Sequence, residues 1–178
     1  MAVAAKTDAM TRFGAVMTTY FAVMATGFSA LFHPSPRLIW NASASVPVGL
    51  YRVRPAETLH VGELVIAMPP EPLASYLADH GYLPEGVPLL KHILALAGHT
   101  VCRTGDTITI DGATVGRALA SDWRGRKLPI WQGCQALSAG TVFLMNEQSA
   151  HSLDGRYFGP VATSAIVGRA VPLWIPRH

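Results

Sequence analysis

The longest run of apolar and uncharged positions lies near the N-terminus of the chain. Residues 13–32 contain no Asp, Glu, Lys or Arg, and an α-helix needs about this length to cross the apolar core of a bilayer. Lys6 and Arg12 precede the run, so the positive-inside rule puts the N-terminus in the cytoplasm. We therefore predict a cytoplasmic tail at 1–12, a single transmembrane anchor at 13–32 and an extracytoplasmic domain at 33–178.

Two other interpretations of this apolar run stay open. It resembles a cleaved signal peptide, since residues 25–27 are small enough for a cleavage site. The run is longer than the apolar part of a typical signal peptide, which favours an uncleaved anchor. A buried core helix is the third interpretation, and the length of the run and its lack of polar periodicity argue against it.

Beyond this run the apolar positions come in short groups separated by turn-forming residues. The chain holds 13 Pro and 16 Gly, which fits a turn-rich β fold. Asp111 and Gly112 interrupt an alternating stretch and predict a hairpin. Pro72, followed by helical spacing up to His80, predicts a short helix. The groups that we predict as extended or strand segments are residues 47–54, 62–68, 107–115, 142–145 and 165–167.

Composition supports a membrane segment and argues against several binding functions. Half of the residues are hydrophobic, 14% are charged and the mean hydropathy is +0.29, values that are high for a soluble domain. The net charge is +3, but the only basic cluster is at 124–127 and no basic stripe carries interleaved aromatics, so we expect no nucleic-acid partner. Isolated cysteines and scattered histidines lack metal-ligand spacing, so we expect no metal and no cofactor.

The two cysteines, Cys102 and Cys134, fit an oxidising compartment. An even pair in such a compartment predicts a disulfide, and two buried free thiols are the alternative. Closing a loop of this length would stabilise the fold by about 3–4 kcal/mol on the chain-entropy model.

One of the three lysines is in an unusual place. Lys91 stands at the head of the apolar run LLKHILALAG, whereas Lys6 lies in the N-terminal tail and Lys127 in a basic loop that contains glycine. Burial disfavours the charged form of an amine and lowers its pKa. A lysine that is neutral near pH 7 is a general base, and serine is its usual partner in a Ser-Lys dyad.

A pair of serines upstream of Lys91 is the candidate partner. Ser43 and Ser45 alternate with small or apolar residues in the segment NASASVPVGLY, and residues i and i+2 of an extended segment project to the same side. One hydroxyl can then attack a carbonyl while the other donates a hydrogen bond to the developing oxyanion. An ordinary polar turn containing Pro47 and Gly49 is the alternative.

Three segments together resemble the signal-peptidase-type Ser-Lys proteases, and more closely their TraF-type conjugative transfer branch. SASVPVGLY at 43–51 matches the nucleophile box, and KHILALAG at 91–98 matches the lysine box. SLDGRYFGP at 152–160 matches the Ser-x-Asp-Ser-Arg box, and GRA at 168–170 also fits. The resemblance implies a mainly β, antiparallel fold of the signal-peptidase type, with one N-terminal transmembrane helix.

The resemblance also implies roles for individual residues. Ser45 matches the nucleophile and Lys91 the general base. Ser43 matches the hydroxyl that lines the oxyanion hole together with the backbone N–H of Ser45. Asp154 matches the acidic residue near the lysine, and Arg156 its ion-pair partner. A surface ion pair of little value to stability is the alternative for these last two.

Two departures from the family pattern change the expectations. Ser152 opens the third box as a supporting residue, but Gly155 stands where the family commonly has serine, so we expect a hydroxyl near the lysine to be missing. Residues 146–151 lack the Gly-Asp-Asn-Arg of general signal peptidases, which argues against a housekeeping leader peptidase. His92 and His151 near the boxes suggest a Ser-His pair as an alternative, which Lys91 makes unnecessary.

The resemblance implies a serine endopeptidase of the bacterial inner membrane with its catalytic domain in the periplasm. Its expected partners are a pilin-type precursor, which it cuts or cyclises, and other proteins of the conjugation apparatus. Small side chains such as alanine are expected before the cut. The alternatives are a general leader peptidase, a non-catalytic assembly subunit of a secretion channel and a self-cleaving Ser-Lys regulator.

Overall fold

A computed structural model describes the backbone of residues 2–31 and 37–176, and the side chains of residues 11–29 and 37–176. Two compact units make up the chain, Met1–Pro36 and Arg37–His178. The elements, in chain order, are α1 (Ala2–Leu31), β1 (Leu38–Asn41), β2 (Gly49–Arg54), β3 (Leu64–Ala67), α2 (Leu73–Asp79), β4 (Leu89–Ala95), β5 (Thr100–Thr104), β6 (Thr107–Ile110), β7 (Ala113–Arg117), β8 (Gly133–Ala136), β9 (Thr141–Leu144), α3 (Gly155–Phe158), β10 (Val161–Ala162) and β11 (Ile166–Trp174), with a short 3-10 turn at Thr163–Ala165 before β11.

The first unit contains one helix, α1, where the sequence predicts the anchor. Threonine hydroxyls form hydrogen bonds within the helix: Thr18 and Thr19 donate to the backbone carbonyls of Gly14 and Ala15 at 2.9 Å. Within the described residues, no helix combines the length and the apolar character that crossing a bilayer requires. The helix is therefore present as predicted, while its role as a membrane span at 13–32 stays a prediction; Phe32 lies outside the described residues.

The second unit is built from two antiparallel sheets. The larger has seven strands in the order β1-β2-β11-β3-β4-β9-β10, and the smaller has four in the order β7-β6-β5-β8. Every described pairing between strands is antiparallel. The prediction of a mainly β, antiparallel fold is therefore confirmed.

Several of these elements follow directly from the sequence pattern. The predicted strand at 62–68 is β3, and the predicted helix from Pro72 to His80 is α2. The hairpin of β6 and β7 turns at Asp111 and Gly112, which have φ angles of 51° and 84°. Two successive positive φ angles define the tight turn that Asp-Gly favours, because glycine pays no steric cost there.

The core of the larger sheet brings two distant segments of the chain together. Val46, next to Ser45 in sequence, is buried in the same apolar cluster as Leu90, which precedes Lys91. Tyr51, Ile66 and Ala170 complete the buried part of this cluster. Burying a side chain of this kind contributes about 1.5–3 kcal/mol, so the cluster holds the turn after β1 against strand β4.

Candidate active site

The two candidate serines lie in the turn between β1 and β2. Ser43 is exposed and Ser45 is half-buried, and their Oγ atoms are 3.1 Å apart. The chain is bent here and not extended as the sequence analysis assumes. The two hydroxyls still lie close together, because the turn itself brings them to hydrogen-bonding distance.

Asn41, at the end of β1, holds this turn in shape. Its side chain is buried, and its Nδ2 donates to the carbonyl oxygens of Ser43, Val46 and Pro47 at 2.8, 3.1 and 3.1 Å. The hydroxyl of Tyr51 also donates to the Pro47 carbonyl, at 2.6 Å. The sequence analysis assigns Asn41 no role, although an Asn at the start of a turn is a recognised sign of side-chain to backbone bonding.

The contacts of Asn41 also determine which way the serine protons point. Its Oδ1 accepts from both the backbone N–H and the hydroxyl of Ser43, at 3.1 and 3.0 Å. A side-chain amide oxygen can only accept, so the single hydroxyl proton of Ser43 is directed at Asn41. The Ser43–Ser45 bond must then be donated by Ser45.

Lys91 is buried within strand β4, where it pairs in register with Val65 of β3. Its Nζ donates to the Oγ of Ser152 at 2.8 Å. Burial lowers the pKa of Lys91 to about 8, partly opposed by the negative charge of Asp154 and assisted by the positive charge of Arg156. With this pKa, roughly a tenth of the amine is neutral at pH 7. Lys91 thus has the character that the sequence predicts for a general base.

Ser45 and Lys91 line the same cleft, whose volume is about 700 Å³. Ser43 and Ser152 line it as well, so the cleft brings four of the predicted site residues together. In the described residues no hydrogen bond joins Ser45 to Lys91: Ser45 bonds to Ser43, and Lys91 bonds to Ser152. Ser45 and Lys91 therefore line one cleft without a direct hydrogen bond between them.

Asp154 and Arg156 form a buried ion pair beneath the cleft. Their side chains are 0% and 3% exposed, so the alternative of a surface pair is wrong. Arg156 donates through Nε and Nη2 to the two carboxylate oxygens, each at 2.9 Å. The same Nη2 reaches the carbonyls of Ser149 and Ser152 at 2.6 and 3.2 Å. The pair therefore shapes the loop that presents Ser152 to Lys91.

Steric crowding explains why residue 155 is a glycine. A Cβ at Gly155 would lie 2.6 Å from the ring of Phe143 and 2.7 Å from the carbonyl oxygen of Leu144, which leaves no room for serine. The sequence analysis expects a hydroxyl near the lysine to be lost with this residue. Lys91 nevertheless has a hydroxyl partner, which Ser152 supplies.

Neither candidate histidine bonds to the serines in the described residues. His151 lines the large cleft, whereas His92 makes contact with Asn146, whose Oδ1 accepts from the backbone N–H of His92 and lies 3.0 Å from its Nδ1. Asn146 is buried and donates through Nδ2 to the Leu90 carbonyl at 3.1 Å. No local sequence pattern predicts a role for Asn146.

A second buried residue that the sequence analysis misses connects the smaller sheet to the site. Cys102 and Cys134 face each other on β5 and β8 and are joined in a disulfide. The neighbouring Arg103 is buried and donates to the carbonyl of Arg156 at 2.5 Å.

Within the described residues no group of His, Cys, Asp and Glu side chains could hold a metal ion.

Known proteins resemble this chain along most of its length. A family model described as signal peptidase, peptidase S26, matches residues 10–175. The conjugal transfer protein TraF of Agrobacterium fabrum is 36% identical over 149 residues, which cover 75% of this chain and 80% of that protein. The plasmid transfer protein TraF of Escherichia coli is 33% identical over 137 residues, which cover 71% and 77%. A solved signal peptidase I of Enterococcus faecalis is 17% identical, with a TM-score of 0.37. The match covers 64% of this chain and 97% of the chain of that structure.

These matches assign the chain to a class of enzymes. It belongs to the signal peptidase S26 family, whose members are serine proteases. Its curated relatives are the TraF conjugal transfer proteins, so the resemblance that the three sequence boxes carry is confirmed.

Proposed function

We propose that this chain is a serine endopeptidase of conjugal transfer in which Ser45 is the nucleophile and Lys91 the general base. The observation that carries the proposal is the position of Lys91. It is a buried amine with a pKa of about 8, and it opens into the same cleft as Ser45. Burying the charged form of an amine costs stability, and a shifted pKa in a cleft is typical of a functional site.

The reaction begins with neutral Lys91. Ser45 Oγ attacks the scissile carbonyl carbon while the Lys91 amine takes the hydroxyl proton. The resulting ammonium keeps its hydrogen bond to Ser152, and it gives the proton to the leaving amine as the C–N bond breaks. The acyl group is then an ester of Ser45, which water or an amine resolves. Before attack, the Ser45 hydroxyl turns from Ser43 toward Lys91.

Ser43 stabilises the oxyanion in this scheme together with the backbone N–H of Ser45. In the free enzyme the Ser43 hydroxyl points to Asn41 Oδ1 at 3.0 Å. It must turn toward the oxyanion during attack, while the Ser43 N–H stays bonded to Asn41. Removing one donor from an oxyanion hole typically costs about 3–4 kcal/mol of transition-state stabilisation.

The proposed substrate is a pilin-type precursor bound in extended form. Strand β1 is an outer strand of the larger sheet, and its residues 39–41 line the cleft, so a peptide can add to its free edge. Leu89 and Leu90 add an apolar wall to the cleft, which suits a small apolar side chain such as alanine before the cut. The names of the relatives as conjugal transfer proteins favour this substrate class over general preproteins.

We also propose that the catalytic unit works outside the cytoplasm, at the inner membrane. The disulfide between Cys102 and Cys134 supports an oxidising compartment. Helix α1 remains our candidate for the anchor, because Phe13, Phe21 and Phe28 expose most of their surface. Carbonate extraction of membranes tests this: the account expects the chain in the pellet, and release into the supernatant contradicts it.

Intact mass of a co-expressed pilin precursor tests the proposed function. The wild type should yield a processed subunit, and Ser45→Ala and Lys91→Ala should yield the unprocessed one. A product lighter than the trimmed linear chain by one water identifies cyclisation, and a product of the linear mass identifies hydrolysis. Normal processing by both variants would support the assembly-subunit alternative.

A further inference from the structure

A second, smaller cavity lies beside the proposed nucleophile. Its volume is about 130 Å³, comparable to roughly four water molecules of liquid, so it has room for one side chain. Its walls include His92, Glu147 and Gln148, and Ser45 is the one residue that it shares with the large cleft. A carbonyl held at Ser45 therefore stands at the boundary between two cavities.

The two cavities belong to opposite faces of strand β4. Lys91 and His92 are consecutive in this strand, and consecutive side chains of a strand point to opposite faces. Lys91 lines the large cleft and His92 lines the small cavity. Ser43, the proposed oxyanion donor, lines only the large cleft of the two. The acyl part of a substrate thus fits the large cleft, and the residue after the scissile bond fits the small cavity.

Two side-chain acceptors line the small cavity, the carboxylate of Glu147 and one ring nitrogen of His92. Asn146 Nδ2 faces the Leu90 carbonyl, so its Oδ1 faces His92 and accepts from Nδ1. Neutral His92 therefore carries its proton on Nδ1, and Nε2 is left as an acceptor. The side chains of Glu147 and Gln148 are exposed and make no hydrogen bond within the described part of the chain. Among the residues that the structure describes, no Lys or Arg lines this cavity.

We propose that this cavity is the subsite for the residue that follows the scissile bond, and that Glu147 makes it prefer a basic side chain there. The carboxylate supplies the negative charge, and in the tautomer that Asn146 selects the Nε2 atom of His92 accepts a hydrogen bond from an ammonium or guanidinium group. The inference rests on the proposed function, because it takes Ser45 as the point of attack.

Binding of two peptides tests the subsite separately from catalysis. The two are decapeptides with alanine before the scissile bond, and they differ only in having Lys or Glu directly after it. Fluorescence anisotropy measures their affinity for the full chain carrying Ser45→Ala, which lacks the attacking hydroxyl. The same measurement is made with Glu147→Lys added. The matched control is Glu57→Lys, since Glu57 is exposed, undergoes the same charge change and lines neither cavity.

The Lys peptide should bind roughly two- to fivefold more tightly than the Glu peptide, as expected for a partly solvated ion pair. Glu147→Lys should abolish or reverse this ratio, and Glu57→Lys should leave it unchanged. The subsite is overturned if the two peptides bind with equal affinity, or if neither peptide binds. It is also overturned if Glu147→Lys and Glu57→Lys change the affinity ratio equally. Cleavage by the wild type is followed in parallel: preference without cleavage contradicts only the proposed function, and cleavage of both peptides without preference contradicts only the subsite.

Discussion

The Nζ atom of Lys91 lies 2.8 Å from the Oγ atom of Ser152, which places a hydroxyl partner on the one buried amine of the cleft. Ser152 is itself buried, and the pair Asp154–Arg156 holds its loop. In the proposed mechanism, Ser152 thus aims the amine and stabilises the ammonium that forms when Lys91 accepts a proton.

Ser152→Ala should therefore lower kcat more than it raises KM. Losing a buried hydrogen bond to a group that becomes charged costs about 1–3 kcal/mol, which corresponds to a kcat lower by roughly fivefold to 150-fold. Steady-state cleavage of a quenched peptide measures the split. Ser152→Thr, which keeps a hydroxyl, should restore a substantial part of kcat, and an unaltered kcat in Ser152→Ala contradicts the role.

The lowered pKa of Lys91 also makes stability depend on pH. Its folded pKa of about 8 lies below its ordinary value of 10.5, so the folded state is disfavoured while the lysine is protonated. The unfolded state binds more protons between these two values, and stability therefore rises with pH across this window by on the order of 3 kcal/mol.

Lys91→Met removes this dependence and should be more stable than the wild type at pH 7. Chemical denaturation at pH 7 and pH 10.5 measures the difference. The advantage of the variant should shrink by on the order of 3 kcal/mol at the higher pH, because the wild-type lysine is then neutral in the folded state and only half protonated in the unfolded state. An equal difference at both pH values would mean that Lys91 has an ordinary pKa.

Asn41 and Ser43 should act as one unit in the rate of attack. Asn41→Ala removes the acceptor that holds the backbone N–H of Ser43 and leaves three backbone carbonyls without their donor. We expect a loss of about 1–3 kcal/mol in stability and at least a roughly tenfold lower kcat. A double-mutant cycle with Ser43→Ala provides the check: coupled effects on kcat support the account, and additive effects contradict it.

Breaking the buried pair should destabilise the fold strongly. Arg156→Ala leaves the carboxylate of Asp154 buried and unpaired, at a cost of about 3–5 kcal/mol. The matched control is Arg117→Ala, whose ion pair with Asp106 is 71% and 56% exposed and should contribute little to stability. Denaturant unfolding of both variants provides the comparison, and similar losses would contradict the structural role of the buried pair.

The sequence predicts the parts of this molecule that depend on local pattern. Asp111 and Gly112 determine a hairpin, and the apolar surroundings of Lys91 predict a buried amine in a strand. The family boxes predict that Ser45, Lys91 and Ser152 belong to one site. Each of these predictions depends on a pattern of residues that are close together in the sequence.

What the sequence does not reveal depends on contacts between distant segments. Asn146 and Arg103 are buried polar residues that satisfy backbone groups of other elements, and nothing beside them in sequence marks this. The steric reason for Gly155 lies in Phe143 and Leu144, which only the fold brings close. The span predicted at 13–32 stays a prediction, since within the described residues no helix combines the length and the apolar character that crossing a bilayer requires.

The central claim is that neutral Lys91 activates Ser45, and the pH dependence of kcat/KM tests it most directly. For the wild type cleaving a quenched peptide between pH 6 and pH 10, the account predicts a tenfold rise per pH unit at the low end and a plateau above a pKa of about 8. Ser45→Ala should be inactive throughout. A profile that is flat across this range, or activity that survives in Ser45→Ala, would contradict the account.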